Sequence, residues 1–343
     1  MLRYLSVAMA LVISVAAGCA NNVQPSSDAE SAKQPHVAYI TNGVASFWTI
    51  AESGAKAGGE EIGAKVTVLM PSEGAADQKR MVEDMITKGV DGMAISPIDP
   101  ENQTDLLNKA AEYTTLITQD SDAPNSKRLA YIGVDNYLAG RMCGELVKEA
   151  LPNGGKIAIF IGRLEQDNAR RRRQGMIDEV LGRDHDPTRF DSPDVAIEAG
   201  KWHIVGTYTD QFDRAAGKAN AEDAMSLHPD LAGMVGLFVF NPPLILEALK
   251  SADRLGEIKV IGFDEADETL QGIKDGYVYG TVVQNPFEYG RQSVKLLAGI
   301  TRGKSLAELG ISDERFLSIP ARQIRHDNVN EFWTELKRNL GKQ

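Results

Sequence analysis

The feature that most limits what this chain can become is an alternation that begins at His36 and runs through the sequence twice. Short apolar runs rich in Val, Ile and Ala are each followed by a longer stretch with helical spacing. The first series predicts strands at 36–41, 66–70, 92–95 and 114–118, with helices at 47–62, 75–88 and 101–111 between them. Val82, Met85 and Ile86 share one face of the second helix, because residues three and four apart stack along a helix. A strand at 129–134 leads into a helix at 137–151, and the series restarts. It predicts strands at 156–161, 202–206, 234–239 and 259–261, with helices at 168–181, 214–227 and 243–255. Parallel strand pairs need crossovers long enough to be helices, so repeated β-α-β units imply parallel sheets covered on both faces. Two such series predict two similar lobes. No close sequence repeat links them, so the likeness is architectural.

The 343 residues are 43% hydrophobic and 25% charged, ordinary for a globular chain of this length. A net charge of −11 argues against nucleic acid, whose phosphates call for a basic face. At the N-terminus Arg3 precedes an apolar run from Leu5 to Ala17 that is too short for a stable membrane span, which is the pattern of an export signal. Ala16-Ala17-Gly18-Cys19 resembles a bacterial lipobox, with Ala16 where Leu is more usual. It implies that Cys19 becomes the lipidated first residue of the mature protein, with ordinary signal-peptide cleavage as the alternative. Residues 20–35 are too polar to bury anything and read as a flexible tether. Cys143 lies in a helical pattern without a partner, so no disulfide is expected.

No catalytic or metal motif stands out. The five histidines show no ligand spacing, and Gly299 to Ser305 is one residue short of a phosphate loop and follows a helix. No cofactor is expected. Chemistry is expected instead where open α/β sheets bind ligands, beyond the carboxyl ends of their strands. Val260-Ile261-Gly262-Phe263-Asp264 is such an end. An aromatic face beside a carboxylate suits a sugar, with its C–H face and adjacent hydroxyls. Alternatively, Asp264 caps the next helix and Phe263 is core.

The order of residues over 36–320 resembles the periplasmic sugar-binding proteins of the ribose-binding type, the type I superfamily that also supplies the ligand-binding part of lac-repressor-like regulators. The resemblance rests on Phe47-Trp48, Ser96-Pro97-Ile98-Asp99, Asp120, Ile132-Gly133-Val134-Asp135-Asn136, Ala169-Arg170 to Gly175, Phe212-Asp213-Arg214, Asn241, Gly262-Phe263-Asp264 and Thr281-Val282-Val283-Gln284. It implies two doubly wound parallel-sheet α/β lobes joined by three crossover strands, near 134–136, 284–286 and 311–315. The first lobe is then 36–134 plus 285–312, the second 135–284 plus 313–325, and 326–343 is a helical tail.

The resemblance also implies the contacts. Phe47, Trp48 and Asp120 come from the first lobe, and Arg170, Phe212, Arg214, Asn241, Phe263, Asp264 and Gln284 from the second. Most have a plainer reading. Arg170 to Arg173 is a charge run that would ordinarily face solvent, and Arg170 alone is expected to point inward. Asn241 fits a helix cap, Arg214 an ion pair with Asp213 or Asp210, and Gln284 a hinge. Ala45, Ser96 and Ser121 stand where the ribose-binding pattern has Asn, Asn and Arg, which removes donors and puts ribose itself in doubt. The implied function is an extracytoplasmic lipoprotein, a monomer anchored in the periplasm or cell envelope. It would capture a monosaccharide or polyol and deliver it to an ABC transporter permease. A sensor presenting the ligand to a chemoreceptor or kinase is the alternative, and an enzyme using Asp120 and Asp264 as its carboxylate pair is a third reading.

Overall fold

The computed structural model describes residues 34–341. The expected signal sequence, Cys19 and residues 20–33 of the tether lie outside them. The first series forms β1 (His36–Ile40), α1 (Ser46–Ile62), β2 (Lys65–Leu69), α2 (Ala75–Thr87), β3 (Gly92–Ile95), α3 (Pro100–Tyr113), β4 (Thr115–Gln119) and β5 (Tyr131–Gly133). Within β1 side chains alternate between faces, as the pleat requires. Val37 and Tyr39 join the core with Ala51 and Leu297, while Ala38 and Ile40 pack with Val82 and Leu107. The sheet is therefore covered on both sides.

The second series is α4 (Asn136–Ala150), β6 (Gly155–Ile161), α5 (Asp167–Val180), β7 (Ile197–Ala199), β8 (Trp202–Thr209), α6 (Arg214–Leu227), β9 (Leu231–Gly236), α7 (Asn241–Ser251), β10 (Lys259–Phe263), α8 (Asp267–Asp275) and β11 (Val278–Val283). The chain then returns through α9 (Pro286–Thr301) and ends with β12 (Phe316–Ser318), β13 (Arg322–Arg325) and α10 (Val329–Asn339). Strand order is β12-β5-β4-β3-β1-β2 in one sheet and β13-β11-β10-β9-β6-β8-β7 in the other. Among the described strands only β7 and β13, at the edges of the second sheet, pair antiparallel.

Three departures from the sequence reading have physical causes. The third passage between lobes falls at 319–321, not at 311–315. Phe316 to Ser318 pair with Tyr131 to Gly133 in the first sheet, and the Phe316 ring stacks on Tyr131 at 5.2 Å. The strand predicted at 234–239 sits three residues earlier, because the chain leaves the sheet after Gly236, where Pro242 and Asn241 close over the backbone. Leu237 to Phe240 thus become a turn at the strand ends. Residues 183–200, given no element between the helix at 168–181 and the strand at 202–206, contribute the edge strand β7, and Arg183 and Arg189 tie this segment down to the buried Asp178.

Close helix crossings fix the frame. A Cβ on Gly175 of α5 would lie 2.0 Å from Tyr137 O, and one on Gly140 of α4 would lie 2.1 Å from Arg172 O. Glycine at both positions lets the two backbones meet, which sets the rotation of α5. Gly54 and Gly290 do the same for α1 and α9. Among the described residues no helix is long and apolar enough to cross a membrane.

Candidate ligand-binding site

Corresponding strands of the two lobes end alike. After β4, Asp120 takes φ 59°, its N–H donating to Ile132 O and its carbonyl accepting from Tyr131 Oη. After β10, Asp264 takes φ 66°, its N–H donating to Val282 O and its carbonyl accepting from Thr281 Oγ1. The left-handed backbone is uncommon outside glycine, although Asp tolerates it. In both lobes it turns a carboxylate off the sheet into the space between the lobes. Phe212 adopts φ 65°, a sharper departure for a bulky residue. There its ring stacks on Phe238 at 5.7 Å.

These ends line a cavity of about 550 Å³ shared by both lobes. Phe47 and Trp48 form its wall from the first lobe, while Phe212, Phe238 and Phe240 face it from the second. Val239 and Ala266 pack in the same apolar cluster as Phe47 and Trp48, so the lobes are in contact around the cavity. Asn168 Nδ2 spans the gap to Asp120 Oδ2 at 3.1 Å. Asp120 Oδ2 also accepts from Ser96 Oγ at 3.1 Å and Asn42 Nδ2 at 3.4 Å. Asn42 holds the Trp48 indole through Trp48 Nε1 to Asn42 Oδ1 at 3.1 Å. An amide missing at Ala45 is thus present three residues earlier.

The buried floor carries mixed charge. Arg172 is 1% exposed; its Nε and Nη2 donate to Asn136 Oδ1 and its Nη1 to Leu237 O, with Asp264 Oδ2 4.0 Å from Nη1. The guanidinium lies 3.9 Å over the Phe263 ring. Asp264 Oδ1 accepts from Gln284 Nε2 at 2.8 Å, and Gln284 Oε1 accepts from Tyr289 Oη at 3.1 Å. Burial raises Asp120 from an ordinary 3.8 to about 7, against the pull of Arg172 and with a further push from Asp264. Burial likewise raises Asp264, with Arg172 and Gln284 opposing it. Several polar atoms facing this space have no protein partner among the described residues: both side-chain heteroatoms of Gln166 and Asn168 Oδ1. Unmatched polar atoms this buried are costly unless a guest supplies their bonds.

Of the residues expected from sequence, Phe47, Trp48, Asp120, Phe212, Arg214, Asp264 and Gln284 line the cavity. Three do not. Arg170 points to the outer edge of the interface, where it pairs with Glu101 at 3.1 Å, and Arg172 takes the inward place. Phe263 is fully buried beneath Arg172 and supports the guanidinium instead of walling the cavity. Asn241 donates through Nδ2 to Asp210 at 2.8 Å and accepts from Phe238 N, bracing the turn that carries Phe238. Asn42, Gln166, Asn168, Phe238 and Phe240 line the cavity as well and were not expected from sequence. A usable signal existed for two of the missed residues. Asn168, Arg172 and Gly175 fall four and three residues apart, so the glycine of a close crossing marks their shared inward stripe.

The Arg170–Glu101 pair joins the lobes outside the cavity, with Glu101 70% exposed. An exposed pair of this kind contributes about 1 kcal/mol at most. Glu101→Gln should therefore raise the ligand Kd by no more than about fivefold, and less at high salt. Calorimetric titration in low and high salt checks this, and a hundredfold loss would return Arg170 to the site.

Two α/β lobes in contact around a cavity of aromatic faces, carboxylates and open amides define a cleft-type binding protein for a small polar guest. A family profile described as "Periplasmic binding protein domain" matches residues 37–305. The chain belongs to that family, in the type that resembles ribose-binding proteins. The D-ribose/D-allose-binding protein of Pseudomonas aeruginosa is 28% identical over 294 residues, covering 80% of this chain and 85% of that one. The ribose import binding protein of Bacillus subtilis is 27% identical over 262 residues, covering 76% and 79%. Among solved structures, an ABC transporter solute-binding protein from Burkholderia graminis in complex with D-arabinose superposes with a TM-score of 0.76 at 27% identity, covering 87% of this chain and 97% of that one. These relatives are binding proteins, not enzymes.

Proposed function

We propose that this protein is an extracytoplasmic solute-binding protein that captures a monosaccharide of the pentose or hexose class between its lobes and delivers it to an ABC transporter. The observation that carries the reading is the pairing of aromatic walls from both lobes with hydrogen-bonding groups of both senses. Asp120, Asp264 and the open Asn168 Oδ1 accept from hydroxyls, Arg172 donates, and Gln166 does either. A polyol fits the same chemistry less well, because it lacks the flat C–H face that the rings would cover. The names of the relatives support a sugar, and the Burkholderia structure supports delivery to a transporter. The chain acts as a monomer. Its place is the periplasm or cell envelope, held through lipid on Cys19, an anchor that rests on the sequence alone.

A thermal-shift screen of pentoses, hexoses and polyols tests the reading. A ligand that binds only the folded state stabilises it by about 2.7 kcal/mol at a hundred times Kd, a rise of several degrees for a chain of this size. At least one monosaccharide should give that rise. A flat response across all three sets would sink the proposal.

A further inference from the structure

Between the buried floor and solvent, the cavity carries positive charge that a neutral sugar does not use. Arg163, at the end of β6, and Arg214, at the start of α6, both line it. Neither has a carboxylate within ion-pair distance among the described residues. Arg163 Nε is buried without a partner, its Nη2 reaches only the Gln211 carbonyl at 3.3 Å, and its guanidinium lies over Phe212 at 4.9 Å. Gln166, fully buried on the same loop, directs an unpartnered amide into the cavity. Across the gap, Arg163 Nη1 comes within 3.8 Å of where a side chain on Gly74 would start, at the N-terminal turn of the α2 helix.

The acids nearby are engaged elsewhere or remote. Asp77 and Glu73 at that turn are taken by Arg80, and Asp77 also by the Ser72 amide. Asp210, which feels Arg163, accepts from Asn241 and Phe212 N, and Glu247, which feels Arg214, is paired with Lys218 at 2.9 Å. Glu268 is the exposed carboxylate on the rim, and Asp120 and Asp264 lie with Arg172 at the floor.

We propose that the preferred guest is an anionic carbohydrate, a sugar acid or sugar phosphate, whose ring occupies the floor and whose negative group lies between Arg163 and Arg214. This rests on the sugar-binding reading above and narrows it. The chemistry is shared by carboxylate and phosphate, since a guanidinium offers a planar fork to either. Without an anion, Arg163 faces the positive end of α2 from the opposite lobe.

Matched sets separate the possibilities: D-ribose with D-ribonate and D-ribose 5-phosphate, and D-glucose with D-glucuronate and D-glucose 6-phosphate, titrated by calorimetry at low salt. In at least one set an anionic member should bind about tenfold or more tighter than its neutral parent. The carboxylate and phosphate arms show which group is taken. In the Arg163→Gln/Arg214→Gln double variant the ratio of neutral to anionic Kd should fall toward one. If neutral sugars bind as tightly as their anionic partners, or the ratio is unmoved in the variant, the anionic assignment is overturned while the sugar-binding reading stands. If no member of any set binds, the anionic assignment is overturned, and the wider thermal-shift screen decides the sugar-binding reading separately.

Discussion

Arg172→Ala is expected to raise the ligand Kd by about a hundredfold or more, whereas Arg170→Ala, two residues away, should stay within about fivefold of the parent. The cause is electrostatic and geometric. Arg172 is the cation that lowers both Asp120 and Asp264, two buried carboxylates that repel each other. Removing one partner from a buried charge cluster typically costs about 3–5 kcal/mol, because the remaining charges stay desolvated. In Arg172→Ala the carboxylates would take up protons and lose their capacity as two-oxygen acceptors for sugar hydroxyls. Arg172→Lys keeps the charge but should still lose about tenfold. An ammonium cannot reach Asn136 and Leu237 O together while lying flat on Phe263. Calorimetric titration of the four proteins with the sugar found in the screen decides the matter, with melting curves to show that each is folded. Equal losses at 170 and 172 would mean that α5 is rotated from the arrangement described above.

That pair also shows what was legible in the sequence. The alternation of apolar runs and helical stretches dictated both lobes, because parallel sheets leave few alternatives once strands and helices take turns. Asp120 and Asp264 were legible because each follows a buried strand directly, and position at a strand end is a local property. Arg172 was not. In a run of four arginines, positions 170 and 172 project about 200° apart on a helix, so an error of two residues exchanges the inward and outward faces. What fixes the phase is the Gly140–Gly175 crossing, a contact between helices that single-residue chemistry does not reveal. Asn241 and Phe263 had the right address for the wrong reason. Phe263 closes β10 and Asn241 opens α7 after the turn that follows β9, but each supports a neighbour that reaches the cavity. Phe238 was hidden inside the run at 234–239 that read as strand, with Phe240 just beyond it, and only the early exit of the chain at Gly236 turns them toward the cavity. Rotation about an axis, and the point at which a strand stops, depend on long-range packing.

Asp120→Asn is expected to make the ligand-free protein more stable above neutral pH and to weaken its response to ligand. In the folded protein burial holds Asp120 protonated up to about 7, while in the unfolded chain it ionises near 3.8. Between those values the native state keeps a proton that the unfolded state has lost, so stability falls as pH rises. The contribution is fully present below the unfolded value and gone once pH passes the folded one. At about 1.36 kcal/mol per pH unit, the window amounts to at most on the order of 4 kcal/mol, less whatever is recovered when the cleft opens and rehydrates the carboxylate. Asparagine does not titrate. The melting temperature of the variant should therefore match the parent near pH 4, draw ahead up to pH 7 and hold that lead at pH 8. Asp210, raised to about 6, titrates in both proteins and cancels in the difference. Above pH 7 the ligand should shift the variant's melting temperature far less than the parent's, since an amide offers one acceptor oxygen where the ionised carboxylate offers two. Parallel melting curves across this pH range, with no divergence, would mean that Asp120 is hydrated and ionised in the folded protein. If the divergence appears, the ionised carboxylate is a standing cost of closing the empty cleft above pH 7. Hydroxyls of the proposed sugar would then remove that cost by donating to it, which makes closure conditional on the guest.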